Sequence, residues 1–303
     1  MAVQKRTDPS VHRRRLRSEL RRARETAGFT QRDVARAMDW SLSKLIRIET
    51  GAVSITTNDL RALLGHYGIN DPIRVENLIE VARSSRERSW WSVYRDIASP
   101  EYIAFLGYES SASIIRSFQP LLVPGLLQTE GYANELFRHI RGPKDPKRID
   151  ALVSLRMERQ EILVRPDPPE LHFIMDEAVI RRMVGGPEIM LRQLSHIRDM
   201  LEQPNITIRI VPFSSGMYRS LRVPYVIFEF SDPEDEAVLY LEYPNEEMII
   251  HESALHDDQE EGSPTPATYL EIFWQLEQAA KKEDTEAILD HAIGSMNTTK
   301  RTE

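Results

Sequence analysis

Apolar residues recur at helical spacing through the first quarter of the chain. Leu16, Leu20, Ala23 and Ala27 predict a helix over about 11–27, stopped by Gly28. In the stretch TQRDVARAMDWSLSKLIRIETG, residues 30–51, Val34 and Met38 lie four apart on one face, and Ala35 is small where a second helix must approach. Leu45 and Ile48 then point inward, while Ser43, Lys44 and Arg47 point outward. Thr30 and Ser41 are N-cap residues, because a hydroxyl can take an orphan N–H of the first turn. Asp39 tolerates the left-handed turn between the two helices, and Gly51 stands where a helix commonly stops. Thr56 or Thr57 caps a fourth helix carrying Leu60, Leu63, Leu64 and Tyr67, which Gly68 ends; Asp71-Pro72 opens a fifth with Ile73, Leu78, Ile79 and Val81. The pattern predicts a compact, all-helical unit of five helices with short loops.

Beyond residue 100 the period changes. Thr129 caps a helix to about Arg141, Asp145-Pro146 opens one to about Val164, and helices over 177–184 and 187–202 flank Gly185-Gly186. Leu171, Phe173 and Met175 alternate with His172 and Ile174, a strand buried on both faces; Ile206, Ile208 and Ile210 alternate with polar residues, a half-buried strand. Residues 224–230 and 237–243 read as a hairpin across DPEDE, 247–251 as a further strand, 266–283 as an amphipathic helix, and 284–293 as a shorter one. The expected class is therefore an all-α helix-turn-helix domain over 11–85 and a connecting segment over 86–105. An α+β sensor or partner-binding domain with a small mixed or antiparallel sheet follows over 106–293, then a polar tail over 294–303.

The helical pair at 30–51 can set its second helix in the major groove of a duplex. Ser43, Lys44 and Arg47 are the candidate base readers, with Ser41 at the start of the same helix. Thr57, Asn58 and Arg61, opening the next helix, are candidate phosphate contacts. Thr30-Gln31, Ala35 and the ending Arg47-Ile48-Glu49-Thr50-Gly51 resemble the XRE/Cro-like helix-turn-helix family over about residues 11–69, although Asp39 stands where that family usually has glycine. The resemblance implies that Gln31 orients phosphate and helix. It also implies that Glu49 pairs with Arg24 to fix the angle between helices; the alternative is a solvent-exposed Glu49.

Charge changes the picture in the same direction. Residues 1–95 hold 19 Lys+Arg against 11 Asp+Glu, a balance of +8, and the remainder stands at −16, so a chain of net charge −8 carries a basic head. Arg13, Arg14, Arg15, Arg17, Arg21 and Arg22 crowd the first helix, either as a solvated face or, in part, as phosphate contacts. No apolar run approaches the roughly 18 residues of a membrane span, and the basic N-terminus lacks an apolar signal core, so a cytoplasmic protein is expected.

The absence of cysteine excludes disulfides, zinc fingers, iron–sulfur clusters and cysteine nucleophiles. No dinucleotide or phosphate-loop glycine pattern occurs, and HESALH spaces its histidines five apart rather than the four of a zinc protease helix. No catalytic residue, metal or cofactor is expected, and the acidic stretches 232–236 and 257–261 read as solvated loops. Trp90 and Trp91 pack where one domain hands over to the next or stack on a base, which a duplex does not offer. Phe213, Met217, Tyr218 and Leu221 crowd the surface loop 212–223, packed either on the domain itself or on a partner or ligand.

The segments LLVPGLLQTEGYA, LRMERQ, MDEAVIRRMVGGP and MLRQLSHI resemble the C-terminal domain of actinobacterial, Streptomyces-type regulators of the WhiJ-like class, over most of 100–255. That resemblance implies a small BldB-like partner protein in an antitoxin-like arrangement. The sequence therefore points to a DNA-binding transcriptional regulator on a double-stranded operator, expected as a homodimer. The hairpin 224–243 and the loop 212–223 are the first candidates for the dimer surface. An autoregulating antitoxin-like protein and a small-molecule sensor remain as alternatives.

Overall fold

The computed structural model describes residues 9–141, 145–232, 235–244, 246–252 and 263–299, and the chain divides into two compact units, Met1–Val93 and Tyr94–Glu303. His256, the acidic loop 257–261, part of the DPEDE turn and the end of the polar tail lie outside the described residues.

The first unit is helical throughout: α1 (Pro9–Thr26), α2 (Gln31–Ala37), α3 (Leu42–Glu49), α4 (Thr57–His66) and α5 (Pro72–Ser84), followed by a 3-10 turn over Trp90–Tyr94 that runs to the unit boundary. Leu20, Val34, Leu45, Leu60, Leu63, Leu64 and Ile79 are almost wholly buried in one core. The starts of α2, α3, α4 and α5 each carry a capping side chain. Thr30 forms a capping box with Asp33, Ser41 takes the Lys44 N–H, Thr56 rather than Thr57 takes the Asp59 N–H, and Asp71 caps ahead of Pro72. The turn between α2 and α3 is a Schellman ending: Trp40 N–H reaches Ala35 O at 2.8 Å, Asp39 N–H reaches Arg36 O at 3.3 Å, and Asp39 sits at φ 54°. Trp90 and Trp91 pack edge-on against each other, their ring centres 5.4 Å apart.

The second unit is built on a six-stranded sheet in the order β3-β2-β1-β4-β5-β6. β1 (Ile114–Gln119), β2 (Glu170–Asp176) and β3 (Ile206–Val211) are parallel, and β4 (Tyr225–Glu229), β5 (Val238–Glu242) and β6 (Glu247–His251) continue antiparallel from β1. Ahead of β1 lies α6 (Pro100–Ser111); between β1 and β2 come α7 (Glu130–Arg141) and α8 (Pro146–Arg159), the latter extended by a 3-10 turn over Gln160–Val164; between β2 and β3 come α9 (Glu177–Arg181) and α10 (Pro187–Met200). α11 (Pro266–Ala279) covers one face with Ile272, Phe273 and Leu276 on Phe118, Ile174, Tyr225, Ile227 and Leu239. The opposite face meets α6, where Phe105 lies 5.2 Å from Phe228 and 4.7 Å from Tyr240, ring centre to ring centre. This alternation is the period-2 rule acting on strands covered on both sides.

Three expectations change. α6 and β1 are not predicted by the sequence pattern, and α6 begins inside the expected connecting segment. The last helix, α12 (Lys282–Thr299), has 18 residues and outruns the short helix expected there, because Leu289, Ala292 and Met296 keep its apolar stripe going past Gly294. The hairpin β4–β5 is interior to the sheet, with β1 on one side and β6 on the other, so it offers no open edge for pairing a second copy.

Asp39 holds a left-handed backbone that glycine adopts without a Cβ clash. Asp39→Gly is expected to raise the stability of the helical unit by about 0.5–1 kcal/mol, and Asp39→Val to lower it by more. Urea unfolding of the full chain, followed by Trp fluorescence and far-UV circular dichroism, checks both.

Candidate nucleic-acid interface

Three helices of the first unit meet at one buried carboxylate. Glu49, the last residue of α3, is 1% exposed. Its Oε1 accepts from Arg24 Nε of α1 at 2.7 Å and its Oε2 accepts from Gln31 Nε2 of α2 at 2.8 Å. Arg24 also donates to the Phe29 carbonyl at 3.1 Å and to Glu25 at 3.0 Å. Burial alone lowers the pKa of Arg24, and the Glu49 hydrogen bond and charge more than reverse that, leaving it raised. Nearby, burial pushes the Tyr67 hydroxyl above its ordinary range, the Glu49 charge adding to it, so Tyr67 stays neutral. The outcome is a fixed angle between α1, α2 and α3. Gln31 gives an amide N–H to this junction.

The helix α3 presents a short outward face. Ser43, Ile46, Arg47 and Thr50 are exposed, while Leu45, Ile48 and Glu49 are buried. Arg47 has no ion pair among the described residues. Ser41 spends its hydroxyl on the Lys44 N–H at 3.1 Å. Lys44 is held on both sides: its Nζ lies 4.0 Å above the Trp40 ring and 3.2 Å from Asp59 of α4. That contact draws the N-terminal turns of α3 and α4 together, with Thr57 and Asn58 on the α4 side. Arg61, one turn on, leans instead onto α5, where it meets Glu76 at 2.9 Å; both partners are about half exposed, so the pair adds little stability. On α1, Arg13 Nε donates to the Ser85 carbonyl at 2.8 Å and belongs to the packing of the unit.

Sequence reasoning passed over Ile46 and the exposed Arg32 and Arg36 of α2. Ile46 stands beside the Leu45/Ile48 stripe rather than on it and is 38% exposed. An isoleucine off the stripe of a short helix was the available signal. An apolar side chain on such a face can touch a thymine methyl group.

Removing one partner of the buried pair leaves the other charge uncompensated. Glu49→Leu is expected to cost about 3–5 kcal/mol, and the double change Arg24→Met with Glu49→Leu to recover most of it. Equilibrium unfolding of the full-length variants measures both.

The comparisons with known proteins agree with this division. A helix-turn-helix domain family matches residues 15–78, and the domain of unknown function DUF5753 matches residues 102–261. No curated protein and no solved structure matches the chain. No helix among the described residues is long and apolar enough to cross a membrane. With a helix-turn-helix of the XRE-like kind in front of a domain that spans more than half its length, the chain is a DNA-binding regulator and belongs to the DUF5753 family.

Proposed function

We propose that the protein is a sequence-specific transcriptional regulator whose α3 reads an operator in the major groove. The observation that carries this reading is the outward face of α3, where Ser43, Ile46 and Arg47 stand exposed on a helix whose angle Glu49 fixes. Arg47 offers the fork that fits guanine O6 and N7, and Ile46 offers apolar contact for a thymine methyl. Lys44, tethered to Asp59, gives its charge to the backbone beside Thr57 and Asn58, where the N-terminal N–H groups of α4 favour phosphate. Gln31 and Ser41 act by holding α2 and α3 in register. Arg61, engaged with Glu76, contributes the least.

One module of this size buries about 600–1,000 Å² on DNA, which argues for two copies on adjacent half-sites. The residues that pair them belong to the second unit, outside the β4–β5 hairpin. The loop before β4 supports a further reading, a protein partner of the BldB-like, antitoxin-like kind. There Phe213 is 58% and Met217 89% exposed, whereas Tyr218 turns inward to donate to Asp176 and Leu221 is half-buried.

Selection of bound duplexes from a random library, followed by footprinting, tests the first reading. The full chain is expected to enrich one motif and to protect two half-sites about 10 base pairs apart. Arg47→Ala should lose about 1–3 kcal/mol of discrimination at one base pair while keeping affinity for unrelated DNA. An unchanged specificity ratio, or no enriched motif, defeats the assignment. Loss of a BldB-like partner in Met217→Asp, with DNA binding intact, is the expected result for the second.

A further inference from the structure

The second unit encloses a cavity of about 680 Å³ between α6, α7, α8 and the face of the sheet opposite α11. Its floor is a row of side chains at one register level: Phe173 of β2, Ser117 of β1, Val226 of β4 and Tyr240 of β5. Ser117 is the small member at the centre and leaves the room. The cavity opens beyond the carboxyl ends of β1 and β5, beside Gln119 and Glu242, where open sheets with parallel strands commonly hold ligands. Its volume is that of a site for a drug-sized molecule.

Two arginines of α8 reach this space, and they differ. Arg159 is neutralised: Nε and Nη2 grip Glu109 at 2.9 and 2.6 Å, and Nη1 donates to the Tyr102 hydroxyl. Arg156 has no ion pair among the described residues. Its Nη1 donates to Gln128 Oε1 at 3.0 Å, its Nε is buried without a partner, and its guanidinium lies 5.2 Å from the Phe137 ring centre. The group is nevertheless built in. Gln128 is 2% exposed, and its own Nε2 donates to the Val123 carbonyl at 2.8 Å, which aims Oε1 at Arg156. Gly125 has no Cβ where one would stand 2.5 Å from Arg156 Nη1, so the guanidinium can press against the chain. Burial lowers the pKa of Arg156, and the charges of Glu242 and Glu109, neither in direct contact with it, offset that only in part.

We propose that this cavity binds a small amphipathic molecule through one carboxylate seated on Arg156, with an apolar or aromatic body over the Phe173–Ser117–Val226–Tyr240 row. The rim is acidic: Glu101, Glu242 and Glu246 are exposed at the mouth, and the low-polarity surroundings of Glu242 raise its pKa while Arg156 and Arg159 draw it back down in part. Several like charges repel phosphates and other multiply charged anions, and they leave Glu242 as an acceptor for an amine or hydroxyl on the same ligand. A monoanion or zwitterion fits both poles. This assignment stands apart from the operator reading, since DNA binding by the unliganded chain is unaffected by its failure.

Calorimetry on the full chain tests it with aromatic carboxylates paired with their uncharged amides, from 3-phenylpropionate to the dipeptide Phe-Phe, with N-acetyl-Phe-Phe and pyrophosphate alongside. The carboxylates are expected to bind at least tenfold more tightly than their amides, pyrophosphate not at all, and Phe-Phe more tightly than its N-acetyl form. Arg156→Met should erase the preference for carboxylate over amide while moving the thermal midpoint little, because relief from desolvating a cation offsets the lost hydrogen bond to Gln128. Glu242→Gln should erase only the preference for the free amine. Ser117→Leu, which fills the floor, should abolish binding of both carboxylate and amide and supplies a second test should Arg156→Met fail to fold. Equal affinity for carboxylate and amide, a preference that survives Arg156→Met, binding that survives Ser117→Leu, or no binding by any probe overturns the proposal.

Discussion

The helical unit depends on a carboxylate that water cannot reach. From the end of α3, Glu49 holds both α1 and α2 through a hydrogen bond on each of its oxygens. Burying a charge is costly, and that cost is offset only with Arg24 and Gln31 in place together. Any sliding of α2 along α3 would strip Glu49 of one partner and leave a charged oxygen unsatisfied. The packing of Leu45 and Val34 makes the core stable in a general way. The Arg24–Glu49–Gln31 junction makes it stable at one angle, and a groove-reading helix needs its angle more than it needs strength.

How much of this was legible follows from the kind of signal each residue gives. The helix ends of the first unit could be read because caps and turn residues are chosen by local backbone geometry: Thr30, Ser41 and Asp71 each satisfy an N–H within three residues, and Asp39 adopts its positive φ locally. The partners of the interface candidates were not local. Lys44 is drawn to Asp59 and Arg61 to Glu76, each fifteen residues on, and no periodicity within one helix foretells such pairs. The six-stranded mixed sheet agrees with the α+β class read from alternating strands, yet its central strand was missed. In β1 the alternation is broken by Arg116, Ser117 and Gln119. Arg116 is paired across the sheet with Glu229 at 2.7 Å, while Ser117 and Gln119 face the cavity. The polar residues that hide the strand are the ones the cavity requires.

The same strand organises the second unit. β1 is the place where the sheet changes from parallel to antiparallel pairing, with β2 on one side and β4 on the other. The chain after β1 must leave the sheet, cross it through α7 and α8 and return to β2, and the guanidiniums of α8 are thereby brought over the end of the strand that Gln119 closes. Cavity and crossover are two views of one connection.

One contact at the margin of the sheet bears on how the molecule behaves at high concentration. β3 is an edge strand, and its outward Ile210 N–H is taken by the fully buried hydroxyl of Thr285 at 2.9 Å, with α12 packed alongside. A strand edge with an unclaimed N–H is a template on which another chain can pair and from which fibrous aggregates grow. A single threonine occupies that donor with a side chain, which has no strand to extend, and α12 packed on the same edge leaves this margin of the sheet less open to pairing with another chain.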